Sequence, residues 1–129
     1  MKPRFRSRFE ERIALSLNQR GVKWDYETLR IDFNVSRMSH YTPDFILKNG
    51  VIIEAKGRFT AANRTKHLLV RAQWSNKYDI RFVFQNAHAK LYKGSKTTYA
   101  QWCNKHGFKW AHGNIPDAWL KEKRVVRKG

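Results

Sequence analysis

The sequence predicts an α/β chain of mixed α+β type, a mixed β-sheet flanked by helices, and three observations predict it. Phe45 to Leu47 and Val51 to Ile53 are short apolar runs on either side of Lys48-Asn49-Gly50. Asn-Gly between β-rich runs signals a hairpin, because both residues tolerate positive φ. Leu29, Ile31, Phe33 and Val35 alternate with polar residues, as do Ile80, Phe82 and Phe84, and this is the period of a half-buried strand. Phe9, Ile13 and Leu17 recur every four residues, the period of a helix face. A length of 129 residues holds one real core and not two, so residues 1–129 read as a single domain.

In chain order, Lys2, Arg4, Arg6 and Arg8 place a cation at every second position. Residues 1–6 read as a mobile basic arm that tracks phosphates. Ser7-Arg8-Phe9-Glu10 fits a capping box and opens the first helix, which Gly21 closes. Glu10 therefore has two readings, a reciprocal cap or a third carboxylate carried to the hairpin, and the two are compatible. Val22 to Tyr26 is a strand, and Leu29 to Val35 a second. Ser36 to His40 is a polar break before the hairpin. Ala61 to Trp74 is rich in helix formers, with Leu68, Leu69 and Ala72 on its apolar side and Lys66, His67 and Arg71 on the others.

Asp79 to Phe84 is the next strand, and Leu91-Tyr92 makes a short pairing. Thr97 or Thr98 caps a helix carrying Tyr99, Trp102 and Cys103, which Gly107 ends. Phe108 to Ala111 is a short strand. Pro116 suits the first turn of a last helix with Trp119 and Leu120 inside. Most of the five Trp read as core residues rather than base-stacking platforms. Residues 121–129 form a basic, mobile tail. Neither a repeat nor a domain boundary interrupts the chain.

Twenty-seven Lys and Arg stand against ten Asp and Glu, a net charge of +17. Such a charge repels itself unless it meets a polyanion such as DNA or RNA. No apolar run approaches the eighteen or so residues that a membrane span needs, and the basic N-terminus shows no signal peptide. With one cysteine, Cys103, no intrachain disulfide forms, which suits a reducing interior. Five scattered His and one Cys give no zinc-ligand spacing.

The chemistry gathers at the hairpin. Asp44 enters it, and Glu54 and Lys56 leave it two positions apart, so one face of the strand carries both side chains. Two hard carboxylates suit Mg²⁺, which polarises a phosphate and acidifies a water. Lys56 is placed to orient that water or to stabilise charge on the phosphate. A solvated ion pair is the bland alternative. The helix that follows brings Lys66, His67 and Arg71 beside the hairpin as DNA-contacting cations, though a solvated helical face fits each of them as well.

Pro43-Asp44 followed by Glu54-x-Lys56 resembles the signature of the restriction-endonuclease-like nucleases. The resemblance sharpens over Tyr41-Thr42-Pro43-Asp44-Phe45, Glu54-Ala55-Lys56-Gly57, Lys66-His67-Leu68-Leu69, Leu91-Tyr92-Lys93-Gly94-Ser95 and Lys105-His106-Gly107. In order and spacing these blocks resemble the bacteriophage endonuclease I family of junction-resolving enzymes, from about Phe5 to Leu120. The resemblance implies a restriction-endonuclease-like core and a Mg²⁺-dependent nuclease, active with Mn²⁺ as well, that cuts four-way (Holliday) junctions and other branched DNA. It implies a domain-swapped homodimer with shared active sites, working in the cytoplasm of an infected bacterial host.

By position, Asp44, Glu54 and Lys56 match the family's catalytic residues, the two acids as metal ligands. Glu10 falls at a further acidic position and is a third candidate ligand; Glu11 is the lesser claimant. Asp25 stands where the family has a glutamate, and its shorter side chain sets it apart. Arg4, Arg6, Arg8, Lys66, His67, Arg71 and Lys93 are the expected DNA contacts. The segment between Asp25 and Asp44 is one residue shorter than in the family, and both tails are short. The family's bridge falls on Leu29 to Val35, a strand able to pair with its own copy. A duplex-nicking endonuclease and a catalytically silent DNA-binding protein are the alternatives. The second has little reason to keep two acids and a lysine at this spacing.

Overall fold

Helix α1 (Arg8–Gln19) begins where Ser7 caps it, the Ser7 hydroxyl accepting from the Glu10 backbone N–H at 3.1 Å. The computed structural model describes residues 4–34 and 38–124. Phe9, Ile13, Ala14 and Leu17 form the buried stripe of α1. The Glu10 carboxylate does not close the capping box onto Ser7. It accepts instead from the Arg6 backbone N–H at 3.3 Å and from the Tyr26 hydroxyl.

Five strands make the main sheet in the order β1-β4-β5-β6-β7: β1 (Trp24–Tyr26), β4 (Phe45–Leu47), β5 (Ile52–Lys56), β6 (Ile80–Phe84) and β7 (Trp110–His112). The first two pairings are antiparallel and the last two parallel, so the sheet is mixed. The predicted hairpin is present, with Phe45 opposite Ile53. Its turn differs in detail. Gly50 alone of the Asn-Gly pair takes positive φ, 94°, while Gly50 N–H donates to Leu47 O and Leu47 N–H to Val51 O. This is a three-residue loop closed by glycine rather than a two-residue turn. Asn49 uses its side chain instead, accepting from Val51 N–H and donating to the Trp119 carbonyl.

Helices cover both faces of the sheet. On one side α1 packs on Phe45, Leu47, Ile53, Ala55, Val83 and Ala111, with Trp119 and Leu120 of α4 (Asp117–Leu120) partly buried at its margin. Pro116 serves as the N-cap of α4, just before its first turn. On the other side lie α2 (Ala61–Trp74) and α3 (Tyr99–His106). Phe59, Phe82 and Phe84 pack there against Tyr99, Trp102 and Cys103 of α3. Thr98 is the cap of α3, in a complete capping box with Gln101, and Gly107 ends the helix at φ 75°. Leu91 does pair, donating to Thr97 O beside a bridge between Lys90 and Thr98, whereas Tyr92 is exposed.

Two expectations need correction. Met38–Tyr41, all but its last residue in the segment read as a polar break, is strand β3, antiparallel to β2 (Ile31–Asn34) in a separate two-stranded sheet. Its polar composition hid it, but Tyr41 is buried opposite Ile31, and both pack with Ile52 and Val70. Val35 lies outside the described residues, and the strand read as a bridge to another copy pairs here within its own chain. The apolar side of α2 is also rotated from the sequence reading. His67 and Val70 face inward, whereas Leu68 and Ala72 are exposed. The inward side was set by β2, β3 and the sheet, not by the most hydrophobic stripe.

Among the described residues, no helix is long and apolar enough to cross a membrane. Phe5 of the basic arm packs edge-on against Tyr26, and Glu122 of the tail is bound to Arg81. Arg81 stands 1% exposed in β6, where alternation put a polar position. Its guanidinium donates to both oxygens of Asp79, at 3.0 and 2.8 Å, and to Glu122, and it lies 5.2 Å from the Trp119 ring centre. Breaking a buried pair from one side strands the other charge. Arg81→Met should therefore cost about 3–5 kcal/mol in urea unfolding. Glu122→Gln should cost less, since that side chain is 34% exposed.

Candidate active site

Strand direction brings the acidic residues together. β1 and β5 both run antiparallel to β4, so the end of β1, the start of β4 and the end of β5 share one end of the sheet. That end carries Glu27, Asp44, Glu54 and Lys56, and the first turn of α1 adds Glu10. Carboxylate oxygens of Glu10, Glu27 and Asp44 lie within 4.8 Å of one another. They border an open cleft of about 300 Å³, lined also by Arg6, His40, Tyr41, Thr42, Glu54, Lys56 and Lys66.

Each acid is fixed by a different contact. Asp44 accepts from the Ala55 backbone N–H at 2.9 Å, and Glu54 accepts from the Asp44 backbone N–H at 3.2 Å. Period two in β5 turns Glu54 and Lys56 to the α2 side, as expected, where Glu54 Oε2 lies 3.5 Å from Lys56 Nζ and 3.6 Å from His67 Nε2. Glu27 holds a positive φ of 54°, and its carboxylate pairs with Arg6 at 2.5 Å.

The two hairpin acids are pushed in opposite directions. Burial, then the charges of Glu54 and Glu10, raise the Asp44 carboxyl well above the usual range. Burial also bears most strongly on Glu54, but His67, Lys56 and Lys66 outweigh it and hold that group below the usual range. Burial lowers His67, and burial followed by Lys56 lowers Lys66.

Of the sequence candidates, the cleft collects Glu10, Asp44, Glu54, Lys56, Arg6 and Lys66. It excludes Asp25, which is exposed on the opposite side of β1 from the aromatic side chains of Trp24 and Tyr26. Glu27, two residues on, occupies the site instead. Sequence reading missed it. Alternation carried no signal for it, because period two puts Glu27 on the face of Asp25; the chain leaves the strand at Glu27, where φ is 54°.

His67 is placed otherwise than expected for a DNA contact: at 1% exposure it faces Glu54 rather than the surface. Arg71 is likewise turned to packing, its guanidinium 4.7 Å from the Phe108 ring centre. Arg4 borders a different groove, with Glu11, Leu15 and Trp24. Arg8 and Lys93 are exposed.

The donor set fits a hard divalent cation. Three carboxylates converge, with no cation paired to Asp44 among the described residues, and oxygen-only ligands are what Mg²⁺ selects. The nearby nitrogen donor, His67, lies outside that cluster, with Nε2 3.6 Å from Glu54 Oε2.

Comparison with known proteins gives a consistent result. The family model described as phage endonuclease I matches residues 2–128. The "Endodeoxyribonuclease 1" of Enterobacteria phage T3 is 46% identical over 121 residues, 93% of this chain and 79% of that protein. The "Endonuclease I" of Escherichia phage T7 is 43% identical over 133 residues, covering 97% of this chain and 89% of that protein.

The electrostatics of Asp44 make a stability prediction. A carboxyl raised by folding favours the fold while protonated. That contribution is fully present below the unfolded value near pH 4 and is lost as pH rises toward the folded value. Asn stays neutral and can still accept from Ala55. In EDTA, Asp44→Asn should therefore melt above the parent chain at pH 8, with the gain shrinking toward pH 4. Lower melting of the variant at pH 8 would contradict the assignment.

Proposed function

The chain belongs to the phage endonuclease I family, and from that premise we propose that it is a Mg²⁺-dependent endonuclease resolving four-way junctions and other branched DNA by phosphodiester hydrolysis. The observation that carries this reading is the convergence of Glu10, Glu27 and Asp44 beside Glu54, Lys56 and Lys66 in one open cleft. The mixed sheet with helices on both faces is compatible with a restriction-endonuclease-like core.

Asp44 and Glu54 are the principal ligands in this reading, with Glu10 and Glu27 completing the negative pocket directly or through water. A bound Mg²⁺ or Mn²⁺ supplies Lewis acidity toward the phosphate and an acidified water. Lys56, only partly exposed and already near Glu54, orients the attacking water or meets the charge that grows on the phosphate oxygens. Arg6 and Lys66, at the rim, hold the DNA backbone. With +17 on the chain, affinity rests on phosphates and falls steeply with salt. Branch preference then comes from shape, through the angle at which two arms are gripped.

Asp44→Asn, Glu54→Gln or Lys56→Ala should lower cleavage by at least about 100-fold and leave junction binding in Ca²⁺ largely intact. Gel assays with a four-way junction, a linear duplex and single-stranded DNA test the substrate. Preferential, EDTA-sensitive cutting of the junction is expected. Equal cutting of linear duplex identifies a weakly selective nicking enzyme instead, and undiminished cutting in EDTA removes the metal.

The shared-site homodimer is part of the same proposal. Glu10 and Glu27 lie before β2 in the chain, and Asp44, Glu54 and Lys56 lie after β3. Exchange of the segment that carries Glu10 and Glu27 builds each site from two chains. Co-refolding Glu10→Ala chains with Asp44→Asn chains tests this. In an exchanged heterodimer one site collects both lesions and the other none, so nicking of a cruciform plasmid returns without linear product. Confirmed heterodimers that stay inactive reject exchange, provided each parent variant is inactive.

A further inference from the structure

The imidazole of His67 is a buried polar group whose two nitrogens have no hydrogen-bond partner among the described residues. A phenyl ring would fill that space without the cost of two unpaired polar atoms. The ring is also held firmly. Tyr41 meets it edge-on at 4.9 Å between ring centres, and Phe82 meets it edge-on at 4.8 Å, so neither in-plane rotation nor tilting is free. One nitrogen is aimed. Nε2 lies 3.6 Å from Glu54 Oε2, and both side chains are almost wholly inaccessible to solvent. That separation is just beyond a hydrogen bond, and only a small shift of the carboxylate closes it. The hydroxyl of Tyr41, on a ring packed against the same imidazole, is a second buried group that makes no full hydrogen bond among the described residues, and it too neighbours Glu54.

We propose that His67 is a positioning residue for Glu54: from helix α2 its immobilised imidazole presents an N–H to Glu54 Oε2 and fixes which way that carboxylate turns its other oxygen. Glu54 Oε1 already lies at the Asp44 backbone N–H. With Oε1 at that N–H and Oε2 between His67 and Lys56, which lies 3.5 Å away, a bond from His67 fixes the plane of the carboxylate at both oxygens. The imidazole thus acts as the outer partner that orients an inner carboxylate ligand. The proposal rests on the metal-dependent reading of the site given above. Lys66, the preceding residue, lines the cleft, so one turn of α2 supplies both a cation for DNA and a support for Glu54.

Two variants separate orientation from packing. His67→Phe keeps a ring between Tyr41 and Phe82 but has no donor, whereas His67→Gln restores an N–H near the position of Nε2. His67→Phe should lose about 10–100-fold in junction cleavage and a similar factor in Mg²⁺ affinity, the latter measured by calorimetry without DNA. Junction binding in Ca²⁺ should be unchanged, and His67→Gln should recover most of both losses. Full activity and affinity in folded His67→Phe overturn the proposal, as does equal impairment in both variants, which marks a packing residue. A measurement on the unaltered chain covers failure of either variant to fold. The ¹⁵N resonance of His67 Nε2 should move as Mg²⁺ is titrated, and a resonance that stays fixed while calorimetry shows binding overturns it. Failure of the unaltered chain to cut any DNA with Mg²⁺ would instead defeat the functional reading, which keeps the two outcomes apart.

Discussion

The rest of the structure depends on one constraint: three carboxylates are held together at one end of a sheet, two of them nearly buried. At 4.8 Å and an effective dielectric constant of 20, two full charges repel by about 3.5 kcal/mol, against about 1 kcal/mol in water. The chain copes with this unevenly. Glu54 has Lys56 and His67 at 3.5 and 3.6 Å, whereas Asp44 has a backbone N–H and, among the described residues, no cation of comparable proximity. The unbalanced charge is thus concentrated where a divalent ion would relieve it. A merely structural ion-pair network would not leave its central acid so exposed to its like-charged neighbours.

Holding such a cluster together takes hydrogen bonds and packing from distant parts of the chain. Glu10 is presented by a helix that Ser7 starts, and it is anchored by the Tyr26 hydroxyl and the Arg6 backbone. Tyr26 is itself wedged between Phe5 and Phe45. Glu54 and Asp44 are tied through each other's backbone neighbours across the hairpin. Behind them β6 runs parallel to β5, sealed by the buried Arg81. The two-stranded β2–β3 sheet then closes the α2 side, with Trp74 donating to Asp32 O at 2.6 Å.

The cations divide into two kinds. Lys56, Lys66 and Arg6 border the carboxylate cleft and can meet a phosphate there, while Arg71 and Arg81 spend their charge on aromatic rings and buried acids. Net charge alone could not separate them. A guanidinium stacks and pairs as readily in an interior as it binds phosphate at a surface.

By itself the sequence determined most of the elements, their order, the hairpin and the positions of Asp44, Glu54 and Lys56 at its ends, because these rest on short-range properties: alternation, helical period, caps and turn glycines. It also marked Glu10 as having two roles, and the tertiary structure replaced the reciprocal cap with a bond to Tyr26. What only packing decided was which way ambiguous residues faced. β1 ends so that Glu27 rather than Asp25 reaches the hairpin. α2 turns His67 inward and Leu68 outward, because its neighbours include a buried carboxylate as well as apolar side chains. Met38–Tyr41 becomes a strand because Ile31–Asn34 lies beside it, and Arg81 is buried because Asp79 and Glu122 come from outside its strand to meet it. Each depends on a partner distant in sequence or on the end of an element, and local pattern carries no information about either.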